Sequence, residues 1–229
     1  MNSFVPRMEI LPPSQQIIWS SLVPVRKAGF VLYGGTAVAL RLGHRQSVDF
    51  DFFSDLPLDK SLLYNSLPML SAATVIQDAP DSLGFLVPIA VSETTEYVKL
   101  SFFGSIHNGR VSEPEMTADG VMLVASLSDM MAHKLKVIMQ RIEAKDYRDI
   151  AAMLKHGMLL DEGMAGACAL FGKTFQPSES LKALVYFEGG DLDTLSSEER
   201  SVLVSAVKKV KKIPPCTIRS KVLSTDRTK

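Results

Sequence analysis

Several features that mark other protein classes are scarce in this sequence. Two cysteines in 229 residues are too few for a disulfide framework, which indicates a reducing compartment such as the cytoplasm. No uncharged apolar run reaches the ~18 residues that a membrane helix needs, and the first residues lack the apolar segment of a secretory signal. The four histidines have no spacing typical of zinc ligands. These absences predict a cytoplasmic globular protein with no membrane segment.

The formal net charge is zero, but the charge is unevenly distributed along the chain. Residues 206–229 contain eight basic side chains and one acid, so the residues before them have a net charge of −7. The basic residues are Lys208, Lys209, Lys211, Lys212, Arg219, Lys221, Arg227 and Lys229. A basic segment after an acidic body favours contact with nucleic acid, and a solvated, weakly structured end is the alternative.

The pattern of apolar residues divides the chain into two halves and a tail. It predicts strands at 30–33, 47–53, 73–79, 85–91 and 96–104, with short helices between them and the fourth strand broken by Pro88. From about residue 125 the spacing becomes helical, and an apolar stripe predicts one amphipathic helix from Leu127 to Ile142. We therefore expect an α+β fold with a mixed α/β core at 1–124, a helical region at 125–205 and a basic tail at 206–229.

Two carboxylates occupy the most hydrophobic of the predicted strands. Asp49 and Asp51 alternate with Phe50 and Phe52, and residues i and i+2 of a strand point to the same face. Two like charges roughly 4 Å apart repel by about 4 kcal/mol at an effective dielectric constant near 20. A bound cation is the simplest compensation.

A glycine turn precedes this strand. Gly34 and Gly35 follow the first predicted strand and open a short helix, in which Thr36 supplies a hydroxyl group. Glycines let backbone N–H groups approach a phosphate closely, and the helix N-terminus adds partial positive charge. An anion site beside a carboxylate pair is what a Mg²⁺-bound nucleoside triphosphate requires, although a glycine pair can also be a plain turn.

These residues resemble a known family. The stretch GGTAVALRLGHRQSVDFDFF, residues 34–53, resembles the opening motif of the AbiEii/AbiGii-type nucleotidyltransferase toxin family, within the DNA-polymerase-β-like superfamily. Residues 126–150, SLSDMMAHKLKVIMQRIEAKDYRDI, resemble the helical motif of that family. The resemblance implies a mixed-sheet nucleotidyltransferase core with a helical C-terminal half. It also implies transfer of a nucleoside monophosphate from a nucleoside triphosphate to an acceptor hydroxyl.

The resemblance gives each matching position of the opening motif a role. Gly34, Gly35 and Thr36 would bind the triphosphate, and Arg45 would contact phosphate or brace the aspartates. Asp49 and Asp51 would hold catalytic Mg²⁺ or Mn²⁺.

The helical motif supplies the remaining candidates. Lys134 would approach the phosphates or orient an acid, and Asp146, with Asp149, would complete the site. Lys134 and Arg141 are seven residues apart and would share a helix face, so both could bind the nucleotide. Each of these residues also has a plain structural interpretation, as a solvated helix position or as an acid at a helix start.

The family resemblance further implies an RNA acceptor, tRNA in some members, and an antitoxin encoded nearby. One position departs from the superfamily, because Ser101 stands on the predicted strand at 96–104 where a third carboxylate is expected. A catalytically weakened nucleotide-binding or partner-binding protein is therefore the alternative function. A glycosyltransferase also uses Asp-x-Asp, but such enzymes usually have a longer nucleotide-binding unit before the pair.

Overall fold

The computed structural model describes residues 2–226, which divide into two compact units. The first unit comprises residues 2–109, 113–125 and 221–226, and the second comprises residues 110–112 and 126–220. Arg227 and Lys229 of the basic tail lie outside the described residues.

A mixed β-sheet forms the first unit, and the described residues contribute eight strands to it. The strands are β1 (Ser3–Phe4), β2 (Val31–Tyr33), β3 (Asp49–Phe53), β4 (Thr74–Ala79), β5 (Ser82–Val91), β6 (Thr94–Phe103), β7 (Glu115–Thr117) and β8 (Leu123–Val124). Their order across the sheet is β1-β7-β8-β2-β3-β6-β5-β4. The helices of this unit are α1 (Pro13–Ile18), α2 (Val23–Lys27), α3 (Gly34–Leu42) and α4 (Lys60–Ser66).

The centre of the sheet is an aromatic core on one face. Phe50 and Phe52 of β3 are fully buried, and Phe52 stacks on Phe102 of β6 with ring centroids 5.1 Å apart. Trp19 lies 6.0 Å from Phe50 and covers the same face. Each large buried aromatic side chain contributes strongly to the stability of the fold. This core holds β3 in register and so fixes where its aspartates project.

The sequence predicts a helix end at Gly43 and a strand break at Pro88 in the first unit. Gly43 ends α3 in the left-handed conformation, with φ +66°, as its position after the apolar residues predicts. The break at Pro88 is wrong, because β5 continues through this residue and pairs with β6. On its other side β5 pairs with β4 only from Ser82 to Leu86, so the missing N–H of Pro88 costs no ladder hydrogen bond there.

The second unit is helical, and its helices are α5 (Leu127–Val137), α6 (Ala144–Lys155), α7 (Leu160–Phe171), α8 (Pro177–Val185) and α9 (Ser197–Lys209). Ser126 caps α5 by accepting a hydrogen bond from the backbone N–H of Asp129 at 3.0 Å. Together with the sheet of the first unit, these helices confirm the predicted α+β fold.

The predicted helix from Leu127 to Ile142 is too long. The helix ends at Val137, and Ile142 is 47% exposed rather than part of an apolar stripe. The chain turns here, and α6 begins at Ala144, whose N–H donates to the side chain of Asp191 at 2.7 Å. This cap comes from 47 residues away, which local periodicity cannot reveal.

The C-terminal segment has more structure than the weakly structured tail that the sequence predicts. Its first residues complete α9, and Leu223 is buried in the first unit. The N–H of Leu223 donates to Asp55 at 2.8 Å, and Asp226 pairs with Arg26 at 2.5 Å. Within residues 2–226, no helix has the length and apolar character needed to cross a bilayer.

Candidate nucleotide and metal site

Strand β3 places Asp49 and Asp51 on one face of the sheet. Phe50 and Phe52 enter the core on the opposite face, while both aspartates are half-buried. In the antiparallel pairing with β2, Asp51 lies opposite Tyr33. The alternation therefore produces the paired carboxylates that the sequence predicts.

The glycine turn contacts this carboxylate pair directly. Gly34 has φ +75°, a conformation that other residues rarely adopt, and a Cβ atom there would overlap the carboxylate of Asp51. A Cβ atom at Gly35 would overlap the guanidinium of Arg45. The two glycines thus allow Asp51 and Arg45 to approach the start of α3, where backbone N–H groups and the helix dipole favour an anion.

Thr36 and Arg45 are held by the protein itself. Thr36 is fully buried, its Oγ1 lies 2.8 Å from Ser47 Oγ, and it also donates to the backbone carbonyl of Asp49. Arg45 donates from Nη1 to the carbonyl of Gln46 at 2.8 Å. The Thr36 hydroxyl therefore fixes the start of β3, and its binding to the triphosphate stays a prediction.

The neighbouring strand β6 supplies the position of the expected third carboxylate. In the parallel register of β3 and β6, Asp51 aligns with Ser101 and Asp49 aligns with Lys99. Ser101 therefore lies on the same face as the two aspartates, as the alternation of β6 predicts. A serine hydroxyl is a neutral ligand, so this strand adds no negative charge to the pair.

The residues present fit one divalent cation. Among residues 2–226, no group of three or more His, Cys, Asp or Glu side chains is arranged to hold a metal ion. Mg²⁺ is commonly bound by one or two carboxylates with substrate phosphates and water as the remaining ligands. Asp49 and Asp51 beside the glycine turn match that arrangement.

Ser101→Asp is expected to strengthen the response of the protein to metal. A third carboxylate next to Asp51 adds repulsion without metal, so the melting temperature should fall. Mn²⁺ should then raise the melting temperature by roughly 3 °C more than in the wild type, because a ligand of the native state stabilises it. Thermal denaturation with and without Mn²⁺ measures this. An equal response in both proteins would place Ser101 outside the metal site.

The candidates of the helical motif form a buried ion-pair network in the second unit. The Nζ of Lys134 lies 2.6 Å from Asp146 Oδ1 and 2.6 Å from Asp149 Oδ2. Both carboxylates are fully buried, and the side chain of Lys134 is only 6% exposed. Arg141 is 46% exposed and donates from Nε to Asp146 Oδ2 at 2.8 Å. Two cations therefore contact the two buried carboxylates, and Arg141 also pairs with Glu143 at 3.7 Å.

The charge of Asp146 is stabilised by its partners. Burial by itself raises the pKa of this carboxyl, but the Coulombic attraction of Lys134 and the hydrogen bonds from Arg141 and Lys134 outweigh it. The pKa of Asp146 is therefore lower than the ordinary value for an aspartate. The prediction that Lys134 and Arg141 share a helix face is wrong, since Arg141 follows the end of α5. Both nevertheless reach the same carboxylate.

Sequence reasoning gave no role to two residues that lie beside these groups. Asp191 caps α6 and so fixes the helix that carries Asp146, and no local signal marks it. Lys99 is the register neighbour of Asp49, and the period-2 alternation of β6 is the signal that could have identified it.

Solved structures with the same fold include proteins described as nucleotidyltransferases. A nucleotidyltransferase from H. pylori superimposes with a TM-score of 0.58 at 18% identity, over 87% of this chain and 96% of its own. MenT4, a nucleotidyltransferase toxin from Mycobacterium tuberculosis, superimposes with a TM-score of 0.52 at 11% identity, over 84% of this chain and 87% of its own. At these identities the likeness establishes the fold, which is that of a nucleotidyltransferase.

The sequence comparison identifies the family. The sequence model of the AbiEii nucleotidyl transferase toxins of type IV toxin–antitoxin systems matches residues 23–206. An uncharacterised protein from Aquifex aeolicus is 33% identical over 162 residues, which cover 69% of this chain and 74% of that protein. The chain belongs to the AbiEii family. This membership confirms the resemblance found in the sequence and favours nucleotidyl transfer over the glycosyltransferase alternative.

Proposed function

We propose that this protein transfers a nucleoside monophosphate from a metal-bound nucleoside triphosphate to an acceptor hydroxyl, and that it acts as a toxin. The observation that carries the proposal is the pair of aspartates on one face of β3, in contact with the glycine turn that opens α3. Membership of a nucleotidyltransferase toxin family supports it.

The residues of the first unit have separate roles in this proposal. Asp49 and Asp51 hold Mg²⁺ or Mn²⁺, which would supply charge neutralisation on the triphosphate. Backbone N–H groups at Gly34 and Gly35 bind phosphate oxygens, and Arg45 adds positive charge beside them. Thr36 positions β3 through its bond to the Asp49 carbonyl. Positioning and electrostatic stabilisation supply most of the catalysis in phosphoryl transfer.

The network of the second unit has a positioning role in the proposal. Lys134 orients Asp146 and keeps it ionised, which corresponds to the second of the two roles that the resemblance implies. Arg141 keeps part of its guanidinium at the surface, where it can bind an anion. Asp146 is the candidate catalytic residue of this unit.

The direct test is a labelling experiment with the purified protein. It is incubated with each labelled nucleoside triphosphate, Mg²⁺ or Mn²⁺ and a cellular RNA extract, and the labelled product is identified. Label in RNA supports the proposal and names the preferred base. The alternative function is a catalytically weakened nucleotide-binding protein, which Ser101 favours. Nucleotide binding without any labelled product in RNA, protein or small molecules would support that alternative.

We infer that the acceptor is RNA and that the exposed lysines around the end of α9 bind it. Four lysines there are exposed and form no ion pair with any residue in the described range: Lys208, Lys209, Lys211 and Lys212.

A cytoplasmic location and a cognate antitoxin belong to the same proposal. The location is proposed because Cys168 and Cys216 are both unpaired, as is usual in a reducing compartment.

Replacing these four lysines by glutamine is expected to weaken RNA binding and its dependence on salt. Each contact between a cation and a single-strand phosphate contributes about 0.7 to the slope of log affinity against log salt concentration. Substitution is preferable to truncation, because Leu223 and Asp226 bond to the first unit. Fluorescence anisotropy at several salt concentrations measures the slope. Lys173→Gln with Lys182→Gln is the control, compared per charge removed, and an equal effect would argue against a specific surface.

A further inference from the structure

Lys99 lies beside the carboxylate pair on the central strands of the sheet. The parallel register aligns it with Asp49, so its side chain leaves the sheet on the same face as both aspartates and Ser101. Adjacent strands are about 4.8 Å apart, which brings an ammonium group on a flexible stem within reach of the same space. On the other side of β6, the register neighbour of Lys99 is Leu86 and that of Ser101 is Gly84.

The ammonium group of Lys99 has no competing partner within the described residues. Its side chain forms no ion pair or hydrogen bond with any residue from 2 to 226. Lys134, by contrast, is held by two buried carboxylates. A half-buried lysine on the face of the two aspartates, without a fixed partner among the described residues, is available to a bound anion.

The charges on this face fit one divalent ion and one fixed cation. Two-metal sites clamp the attacking and leaving oxygens with a pair of ions, which needs several anionic ligands. Here the pair of aspartates has Ser101 in place of a third carboxylate, and Lys99, the register neighbour of Asp49, adds a positive charge to the same face of the sheet. A second divalent ion would have to bind beside this ammonium group with only a neutral new ligand.

We propose that Lys99 takes the place of the second metal ion, an inference that rests on the proposed nucleotidyl transfer. The acceptor oxygen forms a bond to the α-phosphorus while the bond from that phosphorus to the α–β bridging oxygen breaks. Pyrophosphate leaves with the bonding electron pair, and the hydroxyl proton passes to water. Lys99 donates hydrogen bonds to the oxygens on which negative charge accumulates, as a fixed electrostatic stabiliser. The site then uses a single divalent ion held by Asp49 and Asp51.

The stoichiometry of Mn²⁺ tests this independently of activity. Electron paramagnetic resonance of free Mn²⁺, with a non-hydrolysable triphosphate analogue at saturation, counts the ions bound per chain. The wild type is expected to bind one ion, and Lys99→Met combined with Ser101→Asp is expected to bind two. Two ions bound to the wild type would overturn the proposal.

Substitutions of Lys99 alone test its role in transfer. Lys99→Met should reduce transfer at least 100-fold and weaken binding of the analogue without metal about 10-fold, while Lys99→Arg should stay within 10-fold of the wild type in both. A wild-type transfer rate in Lys99→Met would overturn the proposal. If Lys99→Met does not fold, the transfer rate of Lys99→Arg and the number of Mn²⁺ ions bound by the wild type still test the proposal.

The variant Asp51→Asn separates this proposal from the proposed function. Loss of transfer in Asp51→Asn together with full transfer in Lys99→Met would contradict the role of Lys99 but support the nucleotidyltransferase site. Full transfer and unchanged Mn²⁺ binding in Asp51→Asn would instead contradict the assignment of the site to Asp49 and Asp51.

Discussion

Asp51→Asn is expected to reduce nucleotidyl transfer by at least ~1000-fold while the protein remains folded. The amide is a poor ligand for Mg²⁺, and loss of one preorganised electrostatic group at a reacting centre costs on the order of 100- to 1000-fold by itself. Asparagine keeps the shape that fits against Gly34, and the apolar face of β3 is untouched. Removing one of two like charges should leave the metal-free melting temperature equal or higher. Incorporation of labelled nucleotide and thermal denaturation measure the two effects.

The matched control for this substitution is Asp78→Asn. Asp78 lies on the exposed strand β4 and pairs with Lys60 at 2.5 Å on the protein surface. Exposed ion pairs contribute about 0–1 kcal/mol, so transfer and stability should both stay close to the wild type. A large loss in both variants would indicate a general effect on the sheet. Full transfer by Asp51→Asn would contradict the assignment of the site.

The geometry of the first unit follows from short sequence signals. Alternation alone puts Asp49 and Asp51 on one face, since a strand has a side-chain period of two. A pair of glycines between a strand and a helix indicates a turn, and the structure shows why both are needed there. The sequence does not show which strand neighbours β3. The family resemblance points to Ser101, and the sheet order shows that its strand lies next to β3, with Lys99 and Ser101 beside the aspartates.

The second unit was less predictable because its network depends on a change of chain direction. The apolar spacing from Leu127 to Ile142 suits a continuous helix, and nothing local marks the end of α5 at Val137. A helical continuation would have kept Arg141 on α5, whereas the observed turn brings it to Asp146. The apolar spacing also does not show whether Lys134 is buried or solvated. Its burial is set by α6, which the distant Asp191 caps.

Lys134→Ala is expected to destabilise the protein by about 3–5 kcal/mol at neutral pH. The substitution removes the ammonium group that lies 2.6 Å from both buried carboxylates, Asp146 and Asp149, while Asp146 keeps its ion pair with the half-exposed Arg141. Removing one partner of a buried ion pair costs this much because the remaining charge is desolvated and uncompensated. Chemical denaturation monitored by circular dichroism measures the change. A loss of transfer without any loss of stability would instead indicate that Lys134 acts directly on the substrate.

Lys155→Ala is the matched control for this stability effect. Lys155 also has its Nζ 2.6 Å from a carboxylate, that of Glu198, but the two side chains are 41% and 74% exposed. An exposed pair of the same length contributes about 0–1 kcal/mol. The comparison therefore varies burial while the N–O distance stays the same, and equal effects in the two variants would contradict the role given to burial.

The pH dependence gives the destabilisation of Lys134→Ala a second, independent signature. In the wild type the pKa of Asp146 is lowered, despite burial that raises it, chiefly because Lys134 attracts its charge. This carboxylate therefore adds stability above the unfolded pKa of ~3.9, and that stability is lost as the pH falls through the lower folded value. Without Lys134 the strongest attraction that lowers this pKa is lost while the burial that raises it remains, so the pKa of Asp146 should be higher in the folded variant than in the folded wild type. The stability difference between variant and wild type should accordingly shrink as the pH is lowered through the pKa of Asp146 in the variant and toward its lower pKa in the wild type, and a constant difference would show that lost packing, rather than uncompensated charge, destabilises the variant.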